Sequence, residues 1–417
     1  MKPLSPIAFL REHAVLAVSA VAAVASMVAV PPDSAYWGYF DWKTLGCLFC
    51  VLAVASALRL MGAFDRAART VIARFGSPRS LALALVLTTA ALSCVATNDM
   101  ALIMMLPLSA ATLVGAGRAR LIPAVFVLQS LAANLCGMIV PFGNPQNLYL
   151  YSYYGLHLGD FLRTMALPFT VSVVGVVAAT WWLAGRPGRK KASAEATRGI
   201  TTAKAPASST PAARAAIGAA AEPATAPVPR RPMPLSRRRL GAYGVLLALT
   251  LLAVFRVLPI AVAVAAVAAT LAALDRRALA AVDWSLLATF ACFFVFAGNL
   301  ARIPELAAIL GPLMDDHGLI ISAGASQVIS NVPAAVLLSH FTDAWQPLLV
   351  GVNIGGAGTL VGSLASLITL QHFTSVRKVF PQTRDVPELS TGRFLGLFTL
   401  LNVAFLVILL VACGLCG

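Results

Sequence analysis

Residues 134–150 read NLCGMIVPFGNPQNLYL. Apolar chain flanks this stretch on both sides, yet it holds three asparagines, a glutamine, two glycines and two prolines. A backbone or amide group without a partner in hydrocarbon costs several kcal/mol. Breakers and amides inside a span therefore need protein, water or a ligand to meet them. The stretch reads as a membrane helix that unwinds around Gly143 and Pro145 and then resumes.

The rest of the chain supports a membrane setting. Of its 417 residues, 59% are hydrophobic and only 11% charged, the composition of an all-α polytopic membrane protein. Apolar runs of ~17–25 residues, enough to cross ~30 Å of hydrocarbon as a helix, recur along it. The run at 14–30 has the length of a signal sequence. Pro31, Pro32 and Asp33 follow where small residues would mark cleavage, so it reads as a retained first helix. A net charge of +15 raises nucleic acid as a partner. The basic residues, however, sit in short segments between apolar runs, which is the positive-inside pattern and reports orientation. No nucleic-acid partner is expected. The seven cysteines lie in or beside apolar runs, and the CxxC pairs Cys47/Cys50 and Cys413/Cys416 lack a polar loop or a histidine. They read as small packed hydrophobes.

Charge then orders the spans. The segment after residue 30 carries Asp33, Asp41 and Lys43 and reads as outside. Arg59, Arg66, Arg69, Arg74 and Arg79 follow the next span and read as inside, with 62–79 an amphipathic helix on the inner surface. Residues 80–115 are apolar but for Thr97-Asn98-Asp99, and both ends are basic. That predicts a re-entrant hairpin whose polar tip sits at membrane depth, a geometry tolerated only inside protein or against water. Residues 121–150 run outward, with Tyr149, Tyr151, Tyr153 and Tyr154 at the outer interface, and the span after 166 returns to Trp181 and Trp182. Residues 186–238, rich in Ala, Pro, Ser, Thr, Lys and Arg, read as a disordered cytoplasmic linker. Spans at about 240–257, 258–274 and 284–300 follow, then a second interrupted unit over 303–343 broken at Ser330-Asn331. Residues 345–370 run inward and 394–413 outward. About nine spans and two hairpins result, with the N-terminus cytoplasmic and the C-terminus outside.

The halves share an order: helices, a hairpin with Asn at its tip, a broken span, a final helix. Charge places them in opposite orientations, so 1–185 reads as the first of two inverted repeats and 239–417 as a linking helix and the second. Asn134 set on Asn353 brings Gly137 onto Gly356, Gly143 onto Gly362 and Leu148 onto Leu367; VATNDMA (95–101) falls on VISNVPA (328–334). Inverted repeats with discontinuous helices are the architecture of secondary transporters, whose half-helix ends hold substrate and coupling ions.

At TNDMALIMMLPL (97–108), PFGNPQNLYL (141–150), VDWSLLATFACFFVFAG (282–298), SNVPAAVLL (330–338) and NIGGAGTLVGSLASLITL (353–370), the chain resembles the ion transporter superfamily. That group holds arsenite permeases, divalent anion/sodium symporters and citrate-transporter-like permeases. The resemblance implies a scaffold part and a transport part, an elevator-like motion, a homodimer and an inner-membrane location. It also implies that tips and breaks form the substrate and ion sites. Those are Thr97, Asn98, Asp99, Asn134, Gly143, Asn144, Pro145, Asn147, Ser330, Asn331, Asn353, Gly358, Thr359, Gly362 and Ser363, with Na⁺ at Asn98 and Asn331. Asn98 and Asn331 match the tip asparagines of the symporters' Ser-Asn-Thr motifs, and Thr97 and Ser330 the preceding serines. The following threonine is replaced by Asp99 and Val332, which separates this chain from the dicarboxylate/sodium pattern. An Asn-Asp tip is closer to the arsenite permeases.

Asp99 is the one acidic residue that the topology places deep in the membrane, with no Lys or Arg at comparable depth. A carboxylate there must be protonated, paired with a cation or solvated. Asp99 is thus the proton-coupling candidate; the alternative is a cap on the helix beginning at Met100. The five histidines show no metal-ligand spacing, and no phosphate loop, nucleophile elbow or HExxH occurs. No enzyme activity and no cofactor beyond a coupling H⁺ or Na⁺ are expected. The expected function is a permease for a small anion or metalloid oxyacid. A Na⁺/H⁺ antiporter and a non-transporting receptor are the competing readings.

Overall fold

The computed structural model describes residues 14–185, 237–383 and 386–415. They form α-helices and short 3₁₀ turns, with no strand among the described residues. Eight of these helices are long and apolar enough to cross a membrane. The linker expected over 186–238 lies outside the described residues but for its last two.

The first half runs α1 (Ala14–Ala29), α2 (Trp42–Leu60), α3 (Ala63–Ile72), α4 (Pro78–Ala96), α5 (Asn98–Gly115), α6 (Ile122–Gly137), α7 (Pro145–Tyr153) and α8 (Leu158–Ala184). The second runs α9 (Arg237–Val254), α10 (Ile260–Leu274), α11 (Arg276–Ala280), α12 (Trp284–Ala301), α13 (Pro304–Ile329), α14 (Asn331–Leu338), α15 (Trp345–Ile354), α16 (Leu364–Val379) and α17 (Thr391–Gly414). Local chemistry sets the ends. Ser77 and Ser80 form a reciprocal capping box at α4, which also carries Pro78 in its first turn. Asp41 caps α2 by accepting from the backbone of Lys43 and Thr44. In α3, Phe64, Ala68 and Ile72 recur every fourth residue and are the buried face.

The helices pack into two apolar cores. The larger joins both hairpins and both broken helices with α8 and α17. The smaller is built mainly by α2, α9, α10 and α11, and the first hairpin's tip enters it through Ala96 and Met100.

The second interrupted unit breaks at Ser330 into unequal arms: α13 has 26 residues and a kink at His317, while α14 has only eight. The chain can leave the helix at Leu338 because the Tyr154 hydroxyl bonds the carbonyls of Ser339 and Thr342 at 3.2 and 2.7 Å. That same role corrects the tyrosine belt. Tyr149 and Tyr151 are buried, Tyr149 with its hydroxyl 2.8 Å from Ser339 Oγ, and of the four tyrosines only Tyr153 is exposed.

Candidate functional site

Two hairpin tips and two helix breaks make the site. At each tip a single residue turns the chain. Thr97 has φ 72°, ψ 153° and Ser330 has φ 72°, ψ 154°. This region is almost confined to glycine, and occupying it costs about 1–3 kcal/mol per residue. Each tip then docks on a break by one backbone bond: Asn98 N donates to Gly143 O at 3.2 Å, and Asn331 N donates to Gly362 O at 3.1 Å. In each break the chain folds back over its own helix end. A Cβ on Gly143 would lie 2.1 Å from Gly137 O, and one on Gly362 would lie 2.9 Å from Gly355 O. Only glycine passes there. The positions paired by setting Asn134 on Asn353 thus hold matching backbone, down to the turns Gly143 N to Val140 O and Gly362 N to Thr359 O, both 3.2 Å.

Thr97→Gly is expected to relax its tip. It should raise the thermal midpoint in detergent, by less than the ~1–3 kcal/mol of strain because glycine also gains unfolded-state entropy. Transport should fall as the tip loses its fixed direction. An unchanged or lower midpoint would show that the contacts of Thr97 outweigh its strain.

A network of neutral amides fills the space between the breaks. Asn98 Nδ2 donates to Asn134 Oδ1 at 2.9 Å, which also accepts from Ser363 Oγ at 3.0 Å. Asn134 Nδ2 reaches Gly356 O at 3.4 Å. Asn144 Nδ2 bonds Asn134 O at 3.2 Å and Asn353 Oδ1 at 3.4 Å, and Gln146 Nε2 bonds the same Asn353 oxygen at 3.3 Å. Asn353 Nδ2 donates to Asn147 Oδ1 at 2.6 Å, and Asn147 Nδ2 to Met138 O at 3.0 Å within the first break. Asn98, Asn134, Asn144, Gln146, Asn147, Asn353 and Ser363 are all buried. Pro145 opens α7 behind Asn144. Two amide oxygens, Asn144 Oδ1 and Gln146 Oε1, are buried without a donor. Such atoms are costly unless something meets them.

The second break is organised differently. Gln327 Nε2 donates to Gly355 O at 2.8 Å and Ala357 O at 3.0 Å, while its Oε1 accepts from Thr359 N at 2.8 Å. Thr359 Oγ1 returns a bond to Gln327 O at 3.0 Å, and Gly358 lies against the Gln327 amide. Ser330 Oγ lies 3.5 Å from both Asn331 Oδ1 and Gly362 O. Asn331 and Asn134 both lie against Gly356. In the first break the place of Gln327 is taken by Cys94, whose thiol reaches Cys136 O at 3.6 Å. A thiol is a weak donor. Gln327→Ala is therefore expected to cost about 1–3 kcal/mol for each buried carbonyl left unpaired, and to lower the thermal midpoint well beyond Cys94→Ala. Equal shifts would contradict this clamp.

Asp99 stands apart from the network. It is only half-buried as a residue, but its Oδ1 is enclosed and has no hydrogen-bond partner. Its carboxylate caps nothing: Asp99 N bonds Asn98 Oδ1 at 2.9 Å instead, so the capping role is not what the geometry holds. The expectation that no cation approaches this depth is also corrected. Arg59, at the end of α2, places Nη1 3.6 Å from Met100 Sδ. Sequence reasoning missed Arg59, Gln146 and Gln327. Gln146 and Gln327 carried a signal, being amides in apolar runs beside a break and a tip. Arg59 carried none beyond its sign.

A family model described as "Citrate transporter" matches residues 7–349, most of the chain. The chain belongs to the citrate transporter family. Within the curated proteins it is 32% identical over 336 residues to the inner membrane protein YbiR of Escherichia coli, covering 79% of this chain and 80% of that one. It is 27% identical over 335 residues to an uncharacterized transporter of Methanocaldococcus jannaschii, covering 79% and 81%. A 46 kDa membrane protein of Mycobacterium leprae is 24% identical over 392 residues, covering 85% and 84%. With this family and these helices, the protein is a multi-pass membrane transporter and not an enzyme. The family match ends four residues before Asn353, so the second break lies beyond it.

Proposed function

We propose that the protein is a secondary active transporter of the inner membrane that moves a small anion or metalloid oxyacid, coupled to H⁺ or Na⁺. The observation that carries this reading is the buried amide network joining both breaks, where the long 3.4 and 3.3 Å donations of Asn144 and Gln146 to Asn353 Oδ1 can turn to a substrate's oxygens, while their open oxygens suit an oxyacid's hydroxyl. The matched tips and breaks, with the opposed charge bias of the halves, support two inverted repeats. The split into two apolar cores supports a transport part carried against a scaffold in an elevator motion. The homodimer rests on the family resemblance, and the cytoplasmic N-terminus and outward C-terminus rest on the charge bias of the loops.

Proton coupling is favoured over Na⁺. Na⁺ at Asn98 would compete for an Oδ1 already accepting from Asp99 N and for Asn134 Oδ1, which already holds two donors. A proton on Asp99 displaces nothing, since Oδ1 accepts no bond. The antiporter reading rests on the same carboxylate. Proteoliposomes given an inward proton gradient are expected to accumulate one of a panel of labelled citrate, phosphate, sulfate and arsenite. Na⁺-dependent proton flux with no anion uptake would favour the antiporter. No flux of either kind would favour a receptor.

A further inference from the structure

We propose that Arg59 is a substrate-reading residue of this transporter and that its cargo carries negative charge at the first hairpin's tip. This deepens the transport reading above and rests on it. Arg59 lies in the last turn of α2, in the helix that forms the smaller core with α9, α10 and α11. Within that core its guanidinium reaches the first hairpin's tip, meeting Met100 one residue beyond Asp99. The contact is a poor one for the group that makes it. A guanidinium offers five N–H donors in a rigid fork suited to carboxylates and other oxyanions, whereas a thioether sulfur is a weak acceptor.

The surrounding charges do not satisfy it. Among the described residues no carboxylate lies within 4.0 Å of Arg59. The acidic groups that bear on it are Asp65 and Asp283. Asp65, on α3, is exposed, and Arg69 beside it draws its charge. Asp283 caps α12, its Oδ1 accepting from Leu286 N and Ser285 Oγ at 3.0 Å each. Asp99, on the facing hairpin, makes no ion pair with it. A half-buried guanidinium with one sulfur contact, beside the first hairpin's tip, is a place for a bidentate oxyanion. It is the wrong charge to leave beside the path of a cation. The amide network then receives the rest of the cargo without a second charge.

Direct tests are Arg59→Gln, Arg59→Lys and Arg59→Cys in full-length protein in proteoliposomes, with labelled citrate, sulfate, phosphate and arsenite as probes and a pH dye reporting Na⁺-dependent proton flux. Wild type is expected to carry a negatively charged probe. Arg59→Gln should raise its KM about tenfold or more, and Arg59→Lys should recover part of that, since a point charge lacks the fork. Arg59→Cys should regain affinity after a cationic aminoethyl thiosulfonate and lose more after the anionic sulfonatoethyl reagent, a readout insensitive to a folding defect in Arg59→Gln. Wild type under both reagents controls for the native cysteines. Unchanged KM in all three variants, or a wild type that carries only Na⁺ or neutral arsenite, overturns the role of Arg59 and leaves the transport reading standing. A wild type with no flux of any probe overturns the transport reading itself.

Discussion

Asp99→Asn is expected to uncouple the transporter: gradient-driven accumulation collapses while exchange of substrate across the membrane persists. Asparagine keeps the shape of the tip but cannot release a proton. Moving one elementary charge through ~100 mV is worth about 2.3 kcal/mol, so losing one coupled proton removes about 50-fold of the accumulation ratio. The tip is suited to this role because Asp99 Oδ1 is enclosed and free of donors, so protonation changes its charge without breaking a bond. Asp99→Glu should retain coupling. Wild-type uptake should rise as pH falls on the loading side, and Asp99→Asn should be flat across the same range. Full accumulation by Asp99→Asn would show that the carboxylate does not carry the coupling.

Much of this arrangement is legible in the sequence, for reasons visible in particular residues. Gly143 and Gly362 stand out because a helix inside a membrane has no use for two glycines at matched places beside polar residues, and both prove to be close backbone crossings. Asn98 and Asn331 stand out because each interrupts a long apolar run. What stays hidden is what three-dimensional packing alone decides. Thr97 and Ser330 are poor sequence candidates for a glycine-only conformation, and nothing local announces that both adopt it. Tyr149 and Tyr151 carry an interfacial signature but are buried, because Ser339 at the far end of the second hairpin meets Tyr149 there. Arg59 looks like any basic residue at the inner end of a span; only the approach of Met100 from 41 positions along the chain separates it from Arg66 or Arg74.

Asn353→Ala is the second large effect expected, because this side chain is the node through which the two breaks hold each other. It donates to Asn147 Oδ1 and Leu349 O at 2.6 and 2.7 Å and accepts from Asn144 and Gln146. Alanine leaves three buried amides short of a partner at about 1–3 kcal/mol each. That is a large share of the ~5–15 kcal/mol that holds a typical domain together. The thermal midpoint in detergent should fall by several degrees and transport should disappear. Asn353→Asp should not rescue it: a carboxylate still accepts from Asn144 and Gln146 but cannot donate to Asn147 or Leu349, and it adds a buried charge. Asn402 sets the comparison. It is equally buried, but its amide bonds only Phe398 O one turn back in the same helix, so Asn402→Ala should cost far less. If the two alanine variants melt alike, the bonds of Asn353 across the breaks do not hold the site. If Asn353→Ala alone melts early, the amides are its frame. Neutral groups suit that frame, because bonds of ~1 kcal/mol net can be exchanged for a substrate's oxygens, while a buried ion pair at the same place would resist opening.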